Sequence, residues 1–489
     1  MTTPAMPLAE APIAHHIIGG EERGNPRTAV MSPRNHLERV GLVTWGTAGE
    51  VHQAVAAATA AGADWRQLGA MARGETLYRA ADAVAADADG LARLGSWEMG
   101  KPLGEMRGEV TRAAAILRYY AGDGARAVGE VIPAARPDTL QYTRRVPVGV
   151  VGLITPWNFP AAIPVWKMAP ALAYGNTVVW KPAEIASLTA YRLARLLDAV
   201  LGPGVLNLVL GEGPVVGAAL SAHPGVSALS FTGSTGAGQA VAVAALAHGA
   251  KYQLEMGGKN PAIVLDDADL SAAVEAIVSG AMRSAGQKCT ATSRVIALPG
   301  IRDRLVEALD ARLAALTVGD PLDAGTYVGP LASERQMTHA LDLLATGTSD
   351  GARLVRGGQR AGGGLADGWF VEPTLFDHVS PSTPIAQEEI FGPAIAVLDA
   401  AHLDEALAMA NGVRYGLSAS VFTRDLGTAL SVVDRLEAGL VRVNDETAGV
   451  EYDAPFGGTK ASSSHSREQG QAAREFYTDV RTIAIRPAP

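Results

Sequence analysis

Only one cysteine, Cys289, occurs in 489 residues. No internal disulfide can form, which suits a reducing compartment. Basic charge is not in excess either: 41 Lys and Arg stand against 50 Asp and Glu, a formal charge of −9. That balance offers no electrostatic footprint for nucleic acid or an anionic membrane and fits a cytoplasmic protein. Residues 1–16 lack a basic stretch followed by an apolar run, so no secretory signal is read. The most apolar long stretch, residues 146–180, is interrupted by Pro147, Pro156, Asn158, Pro160, Lys167 and Asn176. A membrane-crossing helix needs about 20 nearly unbroken apolar residues, and none is found. The strict Gly-x-Gly-x-x-Gly dinucleotide fingerprint is missing, and no repeat stands out beyond enrichment in alanine.

What is present is ample apolar material, 48% of the chain, with 55 glycines. The length exceeds what one core usually supports, so two or three domains are expected. Periodicity predicts helices over 50–65, 69–97 and 104–121. From Gln141 short β-branched runs (146–154, 177–180, 205–209, 228–231) alternate with helical stretches near 161–173, 187–201, 214–222 and 236–247. This alternation is the signature of βαβ units around a parallel sheet, with a dinucleotide site expected at the strands' carboxyl ends. A second α/β series follows Gly257-Gly258: strand 262–265, helix 268–284, strand 294–298 and helix 302–316. Residues 357–368 read as a surface loop. The tail 476–485 reads as a terminal strand with 139–145 as its partner, within one chain or between subunits.

Several segments carry side chains suited to chemistry. Cys289, in Gly286-Gln287-Lys288-Cys289-Thr290, sits between a predicted helix and a strand; it is either a nucleophilic thiolate or a small buried hydrophobe. Glu255 ends a strand ahead of Met256-Gly257-Gly258-Lys259, where a carboxylate is either a cleft-held general base or simply solvated. Asn158, between prolines and aromatics in Thr155-Pro156-Trp157-Asn158-Phe159-Pro160, suits a rigid oxyanion donor or an ordinary turn. Phe231-Thr232-Gly233-Ser234-Thr235-Gly236 closes a strand and opens a helix, as a pyrophosphate cradle does. Lys181-Pro182-Ala183-Glu184, after another strand, offers an ammonium and a carboxylate to ribose hydroxyls or to solvent.

Together with Glu388-Glu389-Ile390-Phe391-Gly392-Pro393 and Pro455-Phe456-Gly457-Gly458, these motifs resemble the aldehyde dehydrogenase superfamily, in its order, from about residue 15 to the end. The resemblance implies an α/β architecture: a Rossmann-type cofactor domain (1–122 and 146–255), an α/β catalytic domain (256–445), and a small β oligomerisation element with the C-terminal arm (123–145 and 446–489). It implies NAD(P)-dependent oxidation of an aldehyde to a carboxylate. Cys289 would attack the carbonyl carbon, Asn158 and the Cys289 N–H would hold the oxyanion, and Glu255 would activate the water that hydrolyses the thioester. Lys167 would assist proton relay. A carboxylate at Glu255 argues for hydrolysis, since coenzyme A-acylating relatives lack one there. Cofactor contacts are implied for Thr155, Trp157, Lys181, Glu184, Gly213, Phe231, Gly233, Ser234, Glu389 and Phe391. Glu184 would repel a 2′-phosphate, and Ala183 lacks a hydroxyl to hold one, so NAD is favoured over NADP. A homodimer or homotetramer is implied.

Within that superfamily, Gly286–Arg294, Thr447–Tyr452 and Arg467-Glu468-Gln469-Gly470 resemble the α-ketoglutaric semialdehyde (2,5-dioxopentanoate) dehydrogenase branch. Arg283 stands where semialdehyde relatives meet the substrate carboxylate, a role suited to a planar fork; alternatively it faces solvent at a helix end. Trp166 replaces a second arginine frequent in succinic semialdehyde enzymes. Asp445, Glu446 and Asp453 make the rim loop acidic, and Ser462–Ser466 departs from the usual glycine-containing segment. The alternatives are a dehydrogenase for a neutral or aromatic aldehyde, with Trp166 and Phe456 lining an apolar pocket, and a non-catalytic protein that kept the fold.

Overall fold

The computed structural model describes residues 12–126, 129–464 and 466–488. Residues 1–11, most of the stretch read for a signal, and His465 of the serine-rich segment lie outside the described residues.

Strands β1 (His16–Ile18) and β2 (Glu21–Arg23) precede four helices, α1 (Ala48–Gln67), α2 (Gly69–Ala86), α3 (Ala88–Met99) and α4 (Leu103–Asp123). The helix expected over 69–97 is thus two. Asp87 breaks it because its backbone leaves helical geometry (ψ 15°) while its carboxylate takes both arms of Arg192 at 2.5 Å.

An arm strand β3 (Leu140–Pro147) is followed by β4 (Val150–Ile154), α5 (Ala162–Ala173), β5 (Thr177–Lys181), α6 (Ser187–Leu201), β6 (Leu206–Leu208), β7 (Ala228–Thr232), α7 (Thr235–Ala247) and β8 (Lys251–Glu255). The run expected over 146–154 is split at Gly149, whose φ of 128° an L side chain rarely adopts. These strands form one seven-stranded sheet in the order β8-β7-β4-β5-β6-β1-β2, parallel from β8 to β6. Strands β4, β5 and β7 are buried along their whole length, as strands covered on both faces must be. Every residue of α5 is buried too. The order reverses at β4, whose neighbours are β5 and β7, and the crevice beyond such a reversal is where doubly wound sheets take ligands.

The second unit runs β9 (Asn260–Val264), α8 (Leu270–Met282), β10 (Thr292–Ala297), α9 (Arg302–Ala314), α10 (Glu334–Ser349), β11 (Arg353–Arg356), β12 (Thr374–Asp377), β13 (Ala394–Asp399), α11 (Leu403–Asn411), β14 (Ser418–Phe422), α12 (Leu426–Arg435) and β15 (Leu440–Val443). Its sheet order is β11-β12-β13-β10-β9-β14-β15, with only β11 antiparallel. Glu255 lies just ahead of β9 and Cys289 just ahead of β10. The cleft therefore joins the carboxyl ends of the first sheet to the amino edge of the second.

The last strand, β16 (Thr478–Ile485), pairs with β3 of the same chain, from Thr478↔Pro147 to Ile485↔Leu140. The terminal strand and its partner are those expected, and the pairing is intramolecular. No helix among the described residues is long and apolar enough to cross a membrane.

Candidate active site

Cys289 is delivered by an unusual turn. After α8, Ser284 (φ 55°), Ala285 (φ 53°) and Gly286 (φ 71°) run left-handed in succession. Glu105 of α4 holds this turn, accepting from the Ser284 N–H at 3.0 Å and its hydroxyl at 2.8 Å. Glycine is required at 286, since a Cβ would sit 2.1 Å from the Gly392 carbonyl. The Gln287 side chain accepts from Ala332 N–H (2.9 Å), and the Cys289 carbonyl accepts from the Asn260 amide (2.9 Å). The backbone at Cys289 is thus fixed from both sides, while Cys289 itself stays partly exposed. Burial, then the nearby Glu389 and Glu255 carboxylates, push the thiol up to about 12.

Asn158 is buried at the carboxyl end of β4, and its Nδ2 donates to the Gln287 carbonyl at 3.0 Å, two residues ahead of the thiol. One amide N–H is thereby used to orient the group, leaving the other for an oxyanion. The loop is clamped from below: the fully buried Lys101 ammonium donates to the Asn158 carbonyl and to Glu109, both at 2.5 Å. The same Glu109 accepts from Ala161 N–H (2.8 Å) and Ala162 N–H (3.0 Å), satisfying the amino end of α5.

Glu255, at the end of β8, is buried, with Oε2 accepting from Ser463 at 2.6 Å and Oε1 lacking any partner among the described residues. Its pKa stands well above the carboxylate range, first because of burial and second because Glu468 is close. Glu468 is a hub. It takes Lys167 Nζ in a short ion pair, Ser230 Oγ at 3.1 Å and Trp166 Nε1 at 2.6 Å. Lys167 reaches this hub rather than pairing with Glu255. Trp166 and Phe456 also meet here, their ring centroids 5.4 Å apart, and the Phe456 and Glu468 backbones bond to each other in both directions.

On the side of the cleft lined by the second unit, Glu389 accepts from Gly258 N–H at 3.1 Å and is raised to about 7 by burial, against the pull of that N–H and of Lys259. A Cβ at Gly257 would fall 2.3 Å from the Glu389 carboxylate, so a side chain there would displace that carboxylate. Phe391 meets Trp157 edge to face at 5.5 Å, closing the cleft between the two units. Glu184 accepts from Gly213 N–H (2.6 Å) and Lys181 (3.1 Å) through the same oxygen, and its second oxygen has no partner among the described residues. Thr155 accepts from Trp180 Nε1 at 2.8 Å. Ser234 precedes α7 without a side-chain cap, so first-turn N–H groups stay available, and Gly233 has no room for a Cβ, which would lie 2.6 Å from the Phe231 ring. This donor set fits a dinucleotide: free N–H groups for pyrophosphate and an anchored carboxylate for ribose.

Residues 21–483 match the Aldehyde dehydrogenase family. The chain belongs to that family. It is 52% identical over 460 residues to α-ketoglutaric semialdehyde dehydrogenase of Bacillus subtilis (strain 168), covering 94% of each chain. It is 44% identical to α-ketoglutarate semialdehyde dehydrogenase of Haloferax volcanii, covering 93% of this chain and 95% of that one. The fold superposes on betaine aldehyde dehydrogenase of Staphylococcus aureus in complex with NAD+, with a TM-score of 0.94, 35% identity, and 97% and 95% of the two chains covered. The protein is therefore an oxidoreductase with the aldehyde dehydrogenase fold.

Among the family motifs, the structure brings Cys289, Asn158, Glu255 and Glu389 to one cleft. Arg283 stands at the end of α8 with its guanidinium 6.0 Å from the Tyr327 ring centroid, and it makes no ion pair among the described residues. Lys101, Glu105, Glu109, Ser463 and Glu468 were not singled out from sequence. The available signal for Glu468 was its place in Arg467-Glu468-Gln469-Gly470. Ser463 sits in the stretch whose composition departs from the family.

Proposed function

We propose that the chain oxidises a small semialdehyde, α-ketoglutaric semialdehyde foremost, to the carboxylate in the cytoplasm, with NAD preferred to NADP. The observation that carries the chemistry is the meeting of a partly exposed thiol, an oriented amide and a buried, partly unpartnered carboxylate. The sulfur of Cys289 bonds to the aldehyde carbon after losing its proton, and the oxygen takes the pair released from the carbonyl π bond. Asn158 Nδ2 and the Cys289 N–H hold that oxyanion. A dinucleotide would be held by Lys181, Glu184, Gly213, Phe231, Gly233, Ser234, Glu389 and Phe391 beside Thr155 and Trp157 and would accept the hydride whose departure from the sulfur-bound carbon leaves a thioester on Cys289. Glu255 takes a proton from the water that cleaves the thioester, and Lys167 with Glu468 lies on the proton's way out.

The substrate reading is supported by the names of the similar proteins and by Arg283, whose planar fork is uncommitted to any carboxylate among the described residues. The unshared oxygen of Glu184 supports NAD, since a 2′-phosphate there meets like charge. The division into cofactor residues (1–122, 146–255), catalytic residues (256–445) and arm, and an oligomer of two or four subunits, belong to the same reading. Steady-state kinetics on α-ketoglutaric semialdehyde, succinic semialdehyde, benzaldehyde and an aminoaldehyde, each with NAD and NADP, test it. The highest kcat/KM is expected for α-ketoglutaric semialdehyde with NAD, and a clear preference for benzaldehyde overturns it. The aromatic pair Trp166–Phe456 favours that second reading. It gains if Arg283→Ala leaves semialdehyde efficiency unchanged.

A further inference from the structure

The residue directly before the nucleophile is a lysine, and its environment is not that of a solvated surface cation. Lys288 is only 8% exposed, yet its ammonium has no hydrogen bond or ion pair among the described residues. It is not sealed in, either. Lys259 Nζ is a fully enclosed atom without a partner, whereas Lys288 Nζ is not, so it borders accessible space.

The charged groups facing it are Glu105, Glu446, Arg283 and Lys101. Lys101 is already neutralised by Glu109 at 2.5 Å, and both oxygens of Glu105 are committed to Ser284. Glu446 makes no hydrogen bond or ion pair with Lys288 among the described residues, and one of its oxygens is buried without a partner there. Burial lowers the lysine's pKa from its ordinary value, and the two glutamates work against that loss, favouring the charged form. A mostly buried ammonium with no contact partner is costly to keep unless a ligand anion completes it.

We propose that Lys288 is a specificity residue that pairs with the carboxylate of the aldehyde substrate while the carbonyl carbon meets Cys289. The proposal rests on the semialdehyde reading above. In α-ketoglutaric semialdehyde the aldehyde carbon and the carboxylate are separated by three carbons, and a flexible four-carbon stem adjacent to the nucleophile suits that spacing. Arg283 is exposed at the helix end and gathers the anion from solvent, whereas Lys288 is the inner contact.

The test compares kcat/KM for α-ketoglutaric semialdehyde and for pentanal, an aldehyde of equal carbon count without charge, in the full-length protein and in Lys288→Met, Lys288→Gln and Lys288→Arg. The ratio of the two efficiencies is expected to fall about 30-fold or more in the neutral variants, carried by KM, with a large part restored by arginine. A ratio unchanged within about twofold overturns the proposal, since a merely structural lysine weakens both substrates together. If the unsubstituted enzyme itself prefers pentanal, the semialdehyde reading has failed and Lys288 falls with it. A measurement free of turnover runs beside these: glutarate should slow alkylation of Cys289 by iodoacetamide in the parent and lose that effect in Lys288→Gln, and equal protection in both overturns the assignment.

Discussion

At the residue scale, the chemistry turns on protons held tightly in a dry place. Burial first, and the neighbouring Glu468 carboxylate second, raise Glu255 against the pull of Ser463, Lys167 and Arg467. The Cys289 thiol stands near 12 for related reasons. In the proposed mechanism both groups must lose a proton to act. Activity should therefore climb from pH 6 toward pH 9, and a flat profile of kcat/KM over that range contradicts this charge arrangement. Glu255→Gln should lower kcat about 10²–10⁴-fold and leave an acylated Cys289 that intact-protein mass spectrometry detects. Retention of full turnover would remove Glu255 from its role. Asn158→Ala should cost about 10²–10³-fold in kcat.

Glu389 offers a separate check through stability. Its folded pKa of about 7 lies above the ordinary 4.5. The folded state gains from this group fully below the ordinary value and loses that gain as pH rises through about 7. Melting of Glu389→Gln relative to the parent should therefore improve between pH 5 and pH 8. A pH-independent difference would mean the carboxyl group is not desolvated.

At the scale of elements, two helices owe their first turns to glutamates on other helices. Glu98 of α3 accepts from Leu188 N–H (2.7 Å) and Thr189 N–H (2.8 Å) at the start of α6. Glu109 of α4 serves α5 in the same way and, through Lys101, fixes the Asn158 loop. Lys101→Met leaves Glu109 buried without its counter-charge and should destabilise the fold by about 3–5 kcal/mol, read from denaturant midpoints. A loss well under 1 kcal/mol would show the pair to be dispensable.

These links explain what was legible in the sequence. The βαβ alternation, the helix over 187–201 and the motifs around Cys289, Glu255 and Asn158 are local, and periodicity and short spacing report them. Lys101 and Asn158 are 57 positions apart, and Trp166 and Glu468 are 302 apart. No periodicity encodes such a contact, and a buried Lys–Glu pair reads in a sequence like any solvated helical pair. The break at Asp87 escaped for the same reason, because Arg192 is remote in the chain.

At the scale of the molecule, α7 turns an apolar side outward: Val243 and Leu246 are each 71% exposed on a helix whose remaining outward positions are largely alanine and glycine. Val480 and Ile485 of the arm are 58% and 50% exposed. Such surface suits the subunit contact of the proposed oligomer. Val243→Asp combined with Leu246→Asp should shift the sedimenting species toward the monomer mass, and an unchanged sedimentation coefficient rules this face out as a subunit contact.

Glu468 and Thr478, the first residue of the arm strand β16, are ten positions apart along the chain. A short tether thus joins the outer ribbon to Glu468, the carboxylate that adds to burial in holding the proton on Glu255. In the proposed oligomer, dilution that frees the ribbon from a neighbour should lower turnover before any unfolding is seen, making catalytic vigour a gauge of company.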